Sequence, residues 1–206
     1  DEDFLNNSVL NLPIVVLLRR EENLHSICLD DYAVGQNIAR LFMERGHKTA
    51  GYIGSHQRGR GATIRKLGFL EQCRQYGIQI KEQWVIDTPK RDYEGGFIAM
   101  KEIIEGKDYP SIMFISMPQQ VIGTWNACQK AGVRIPDDME ILAYGTYNYF
   151  NYLSPTISCV YLPMECLAQT ALDLLMTVLD KNIQMPINRI LHEEYCFRES
   201  CGGFIE

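Results

Sequence analysis

The stretch GRGATIRKLGF, residues 59–69, sets two glycines ahead of an arginine, Arg65, one turn before an apolar run. Arginine carries five N–H donors in a fixed planar fork. That fork suits a carboxylate, a phosphate or paired hydroxyls. After a strand and a glycine-rich turn, Arg65 can stand at the mouth of a sheet; the plain alternative is an exposed helix arginine. Asp30 and Asp31 close an apolar run and precede a helix. A carboxylate there either caps the helix or accepts a hydrogen bond from a ligand hydroxyl. YGTYNYFNYL, residues 144–153, begins at Tyr144 and holds five aromatics. Such a cluster stacks on sugar rings, meets a partner protein, or packs as a loop.

Catalytic chemistry finds little support. The chain has no GxSxG elbow, HExxH pair, Walker loop or GxGxxG after a strand. The paired acids Asp137/Asp138 and Glu193/Glu194 read as solvated loops. Cys28, Cys73, Cys128, Cys159, Cys166, Cys196 and Cys201 are scattered without metal-ligand spacing, as are the four histidines. Neither a metal nor a cofactor is expected, and the thiols fit a reducing cytosol.

The net charge of −6 argues against a bare nucleic-acid-binding surface. No apolar run reaches the length of a membrane span. The start, DEDFLNNSVLNLP, is acidic, lacks the basic region of a signal peptide and has no initiator methionine. The chain therefore reads as a cytoplasmic portion of something longer.

The elements that must position these residues alternate. Strands are expected at 13–18, 26–29, 49–54, 83–87, 111–116, 139–145, 156–162 and about 189–197. Between them, AVGQNIARLFMERG places Val34, Ile38, Leu41 and Phe42 on one helical face, with Gly46 as the stop. Further helices are expected after the Arg65 turn (Phe69, Cys73, Tyr76 inward), at 94–104 (Phe97, Met100, Ile104 inward) and at 119–130. The helix at 163–180 carries a long stripe of Met164, Leu167, Ala168, Ala171, Leu172, Leu175 and Leu179. Strand–helix alternation means an α/β fold with parallel sheets. Ligands bind such sheets at the carboxyl ends of the strands.

Taken in order, LDD, MERGHKTAGYIG, IRKLGF, YEGGFIAMKEII, YPSIMFIS, AGVRIPDDMEILAYG, LSPTISCVYLPMECLAQTALDLL and CFRES resemble the effector-binding region of the lactose-repressor/galactose-repressor family, from Leu12 to Ser200. The resemblance implies a two-lobed periplasmic-binding-protein-like fold with a small molecule in the cleft. It places 1–47 and 154–185 in an N-terminal lobe, incomplete in this chain, and 48–153 and 186–206 in a C-terminal lobe. It also implies a dimer, here through Leu172 and Leu175, and a DNA-binding headpiece outside this chain that reads an operator. By the same resemblance Arg65 donates to the effector and Asp30 is the acid after the strand.

The chain departs from the family pattern at three positions. Met117-Pro118 stand where Asn-Asp is common, Gly145 stands where Asp is common, and the aromatic that stacks on the ligand falls on Arg91. Two acceptors are lost and a cation gained. The effector site expected from the resemblance is thus Arg65, Asp30, Arg91, Gly145, Met117 and Tyr144, for a sugar, a sugar phosphate or a carboxylate. A protein co-regulator in place of a small molecule is the remaining option. The function expected is effector binding and dimerisation in a bacterial transcriptional regulator, a repressor and not an enzyme. The alternative is a solute-binding protein of a sugar transporter.

Overall fold

The structure is a computed structural model that describes residues 13–56, 59–181, 183 and 185–203. The acidic opening stretch and two residues of the glycine-rich turn, 57 and 58, lie outside the described residues. The chain divides into two compact units: residues up to Leu29 with Pro163–His192, and Asp30–Leu162 with the residues from Glu193 on.

The smaller unit is a three-stranded parallel sheet in the order β1-β2-β8, formed by β1 (Val15–Leu17), β2 (His25–Leu29) and β8 (Asn188–Leu191). Helix α5 (Met164–Lys181) packs on β1 and β2. It buries Leu167, Leu174 and Val178, with Ala171 half-buried between them. That is one 3.6-residue face. It is rotated from the expected stripe: Met164, Leu172 and Leu179 are exposed and Leu175 is half-buried. A three-stranded sheet offers a narrow face, and the helix carries more apolar surface than that face covers.

The larger unit is a six-stranded sheet in the order β4-β3-β5-β6-β7-β9. Its strands are β3 (Ala50–Ser55), β4 (Val85–Thr88), β5 (Ile112–Ile115), β6 (Glu140–Tyr144), β7 (Ser158–Tyr161) and β9 (Glu194–Cys196). Only the β7–β9 pairing is antiparallel. Continuous apolar strands such as IMFI of β5 are buried throughout, as a sheet covered on both faces requires.

On one face lie α1 (Asp31–Glu44) and α2 (Arg60–Gln75), packed against each other. Phe69 of α2 meets Phe42 of α1 edge-on at 5.6 Å and Phe114 of β5 at 5.2 Å between ring centroids. On the other face α3 (Tyr93–Glu105) and α4 (Val121–Ala131) bury Met100, Ile103, Val121 and Cys128 against Ile53, Met113, Ile115 and Ala143. Leu41, Phe97 and Ile104, expected inward, are half-buried, and Tyr76 is exposed. At the far end of β6, Glu140 accepts two hydrogen bonds from Arg45, at 3.2 and 3.1 Å, and one from His47 at 3.2 Å.

The unit boundaries differ from those expected at 47/48, 153/154 and 185/186. Helix α1 joins the larger unit because it packs on α2, with Phe42 edge-on to Phe69. Strand β7 joins it by pairing with β6, and β8 joins the smaller unit by pairing with β2.

Candidate functional site

The carboxyl ends of β5 and β6 bring Ser116 and Tyr144 to one face of the large sheet. Ile115 pairs with Ala143, so the next residue on each strand shares a face. It is the face of Tyr52, Phe114 and α2. Arg65 lies one turn before Phe69 on α2 and reaches back over Tyr144. Its guanidinium carbon stands 3.3 Å from the ring centroid. Arg65 is only 5% exposed.

A second contact holds the same guanidinium: Nη1 of Arg65 donates to Oδ1 of Asp31. Asp31 is the first residue of α1, behind Asp30, which caps the helix by accepting from the backbone N–H groups of Tyr32 and Ala33 at 3.1 Å each. The two charged groups meet because glycines stand one turn away on each helix. A Cβ on Gly35 would overlap the Arg65 carbonyl, so α1 and α2 touch backbone to backbone. A Cβ on Gly61 would overlap the Asp31 carboxylate. This close approach accounts for Gly61, the second of the two glycines that precede Arg65 in the sequence.

Burial pushes the Asp31 carboxyl up from its ordinary value, and the charge and hydrogen bond of Arg65 oppose but do not cancel that rise. Burial likewise pushes the Tyr144 hydroxyl up, against the pull of Arg65. Among the described residues, Nε of Arg65 and Oγ of Ser116 are buried without a hydrogen-bond partner. Lys66, the next residue on α2, has a parallel arrangement. It donates to Asp87 at 2.7 Å, and its ammonium lies 4.9 Å from the centroid of Tyr52.

The residues singled out from the sequence therefore separate. Arg65 and Tyr144 are in contact. Asp30 is engaged as the helix cap, and its neighbour Asp31 makes the contact with Arg65. Arg91 is exposed in the loop between β4 and α3, and no contact joins it to Arg65 among the described residues. Met117 is buried. Gly145 has a φ of +83°, and a Cβ there would come within 3.1 Å of Cγ of Pro118. The two departures from the family pattern are thus neighbours: Pro118 stands against Gly145, and the Pro118 carbonyl accepts from the Tyr149 hydroxyl at 2.7 Å. Leu172 and Leu175 lie on α5, in the smaller unit. Asp31 and Ser116 are not among the expected site residues: of the two adjacent acids, either of which could cap the helix or meet a ligand, the resemblance selects Asp30, and Ser116 is expected only as the end of a strand.

A family model described as a periplasmic binding protein-like domain matches residues 39–201. The chain belongs to that family. Among curated proteins it is similar to the HTH-type transcriptional repressor PurR of Photorhabdus laumondii, at 31% identity over 170 residues, covering 81% of this chain and 49% of the repressor. Among solved structures it is similar to a LacI family transcription regulator from Clostridium acetobutylicum, with a TM-score of 0.85 and 28% identity, covering 96% of this chain and 74% of the other. It shares the fold of a LacI family regulator from Enterococcus faecalis solved with bound ribose, with a TM-score of 0.78 and 23% identity, covering 97% and 71%. The chain spans about half the length of the curated relatives it matches. The curated relatives are named as transcriptional repressors and the solved structures as LacI family regulators, and the chain's likeness is to the effector-binding region of LacI-type regulators. No described helix is long and apolar enough to cross a membrane.

Proposed function

We propose that this chain is the effector-binding region of a LacI-type transcriptional repressor, and that a small hydroxylated molecule is recognised at the carboxyl ends of β5 and β6. The observation that carries the reading is the guanidinium of Arg65, held over Tyr144 with a buried Nε–H that has no acceptor, while the unpartnered hydroxyl of Ser116 follows the neighbouring strand in register with Tyr144. Buried polar groups are normally paired. A ligand hydroxyl can accept from Nε or pair with Oγ, and a sugar supplies several hydroxyls. Arg65 lies over one face of the Tyr144 ring, so the ring orients the cation.

In the intact protein, ligand binding would act on DNA affinity by favouring one of two conformations, which requires different affinities for the two. An operator-reading headpiece, a homodimer and a cytoplasmic location belong to the same reading. Arg65 tests it. The protein labelled with ¹⁵N-arginine is titrated with neutral sugars, D-ribose first, and the Arg65 Nε–H signal is followed. A saturable shift of that signal supports the site; a sugar that binds without moving it places recognition elsewhere.

A further inference from the structure

We infer that Asp31 is a specificity-determining residue: an internal anion that occupies Arg65, so that the site takes an uncharged hydroxylated ligand and refuses phosphates and carboxylates. The inference rests on reading this site as the effector site.

Three observations carry it. First, the carboxylate is built in. It sits on Nη1 of Arg65 in a space that Gly61 leaves open, on a helix held against α2 by the backbone contact at Gly35. At the first position of α1 it also lies where a helix favours negative charge. An arginine already paired in a buried setting has no net charge to offer an incoming anion. An anionic ligand would meet the Asp31 carboxylate as a like charge, and like charges at close range disfavour one another.

Second, the neighbouring cation is treated in the same way. Lys66 is paired with Asp87, which closes β4. Consecutive cations on the α2 turn nearest the strand ends are therefore both neutralised by carboxylates of the same unit. Arg91, which would have supplied a second cation for an anionic effector, is exposed and not joined to Arg65.

Third, two of the buried atoms left without a partner, one N–H donor, Nε of Arg65, and one hydroxyl, Oγ of Ser116, are atoms a hydroxyl satisfies. Neither calls for a charge. The acceptors lost at Met117-Pro118 and Gly145 are replaced by an apolar contact between Pro118 and Gly145, which adds no charge to the site.

The test compares the intact wild-type protein, Asp31→Asn and the double variant Asp31→Asn/Arg65→Gln. Inorganic phosphate, ribose 5-phosphate and D-ribose are the probes, at constant ionic strength set with chloride. Melting temperature is the readout, so a destabilised variant still reports. Phosphate stabilises many proteins by exclusion, and the double variant measures that background. In Asp31→Asn the expected result is a gain of about tenfold or more in apparent affinity for phosphate and ribose 5-phosphate, absent from the wild type and from the double variant. Anions that bind the wild type as tightly as Asp31→Asn, or no gain in Asp31→Asn, would overturn the inference. If Asp31→Asn is unfolded at every temperature, Asp31→Ser is read in its place by the same criteria. Neutral sugars that fail to bind the wild type would count against the effector reading alone, because the phosphate gain depends only on Arg65 losing its partner.

Discussion

The charged groups of Asp31 and Arg65 are in direct contact although they lie on different helices, and a glycine one turn from each makes the contact possible. Arg65 is thereby fixed in one orientation over Tyr144. A long side chain that would otherwise lose about 2 kcal/mol of rotamer freedom on binding is already ordered.

The glycines should discriminate sharply among substitutions. Gly35→Ala drives a methyl into the Arg65 backbone and should cost about 1–3 kcal/mol, as overpacking does. Gly61→Ala should cost less, because the carboxylate of Asp31 can swing, but it should break the pair. Gly59, which has open space around its would-be Cβ and no side-chain cap bond, should accept serine with a change of a few tenths of a kcal/mol. Urea denaturation of the three variants checks the order, and equal losses would show that the helix contact is not tight.

Removing the arginine should leave the unit folded and remove the ligand. Arg65→Ala deletes a charge-bearing donor, and such bonds contribute about 1.5–3 kcal/mol, or roughly 10- to 150-fold in affinity. Circular dichroism and calorimetric titration separate the two effects. Undiminished affinity would remove Arg65 from the site.

The acid stability of the larger unit should depend on Glu140. Burial alone would push its carboxyl up; the hydrogen bonds from His47 and Arg45, with the Arg45 charge, outweigh this and leave it below its ordinary value of 4.5. A carboxyl held lower in the folded than in the unfolded chain contributes stability above the unfolded value. That contribution is lost as pH falls through the folded value. Glu140→Gln should therefore lower stability near neutral pH and flatten its fall between about pH 5 and pH 3. Parallel wild-type and variant curves across that range would show that the cluster is energetically idle.

Much of this architecture is legible in the sequence, for physical reasons. Buried strands such as IMFI and helices with a single apolar face leave periodic traces, so the alternation of elements and the parallel sheets follow from them. Arg65 is legible because a strand and a glycine turn precede it. Asp31 is not, because its partner lies 34 positions away and a pair of adjacent acids has the same local pattern whether solvated or paired. The choice between Asp30 and Asp31 is made by helix geometry: one residue caps and the next points at α2. The buried face of α5 is also illegible, since apolar residues surround more than half the helix and only the narrow sheet selects Leu167, Leu174 and Val178. The unit boundary near Leu29 depends on which neighbour covers Val34 and Ile38, and periodicity carries no information on that.

That reading of α5 gives a further expectation. Leu174 is fully buried, and Leu174→Ala should cost about 2–5 kcal/mol. Leu172 is 55% exposed, and Leu172→Ser should change the stability of the unit by no more than about 0.5 kcal/mol. If α5 is the proposed dimer face, Leu172→Ser should instead shift the assembly state seen by analytical ultracentrifugation. A dimer unchanged by that substitution would place the interface elsewhere.

Thiol chemistry should follow burial. Burial pushes Cys73, Cys128 and Cys201 up to about 12 each, so they carry almost no thiolate at neutral pH. Cys166 on α5 is exposed. A thiol reagent should modify Cys166 first and reach the three buried thiols only as the chain opens. Fast modification of Cys73 in folded protein would contradict the packing of α2 on the sheet.

The central claim is that Arg65 anchors a small-molecule site in the larger unit. Its most direct test is a thermal-shift screen of the intact wild-type protein and Arg65→Ala against neutral sugars. A ligand at about 100 times its dissociation constant adds roughly 2.7 kcal/mol of stability, a clear rise in melting temperature. The account expects at least one neutral sugar to raise the wild-type melting temperature and to leave Arg65→Ala unmoved. A screen in which every sugar leaves the wild type unmoved, or moves both proteins equally, would contradict it.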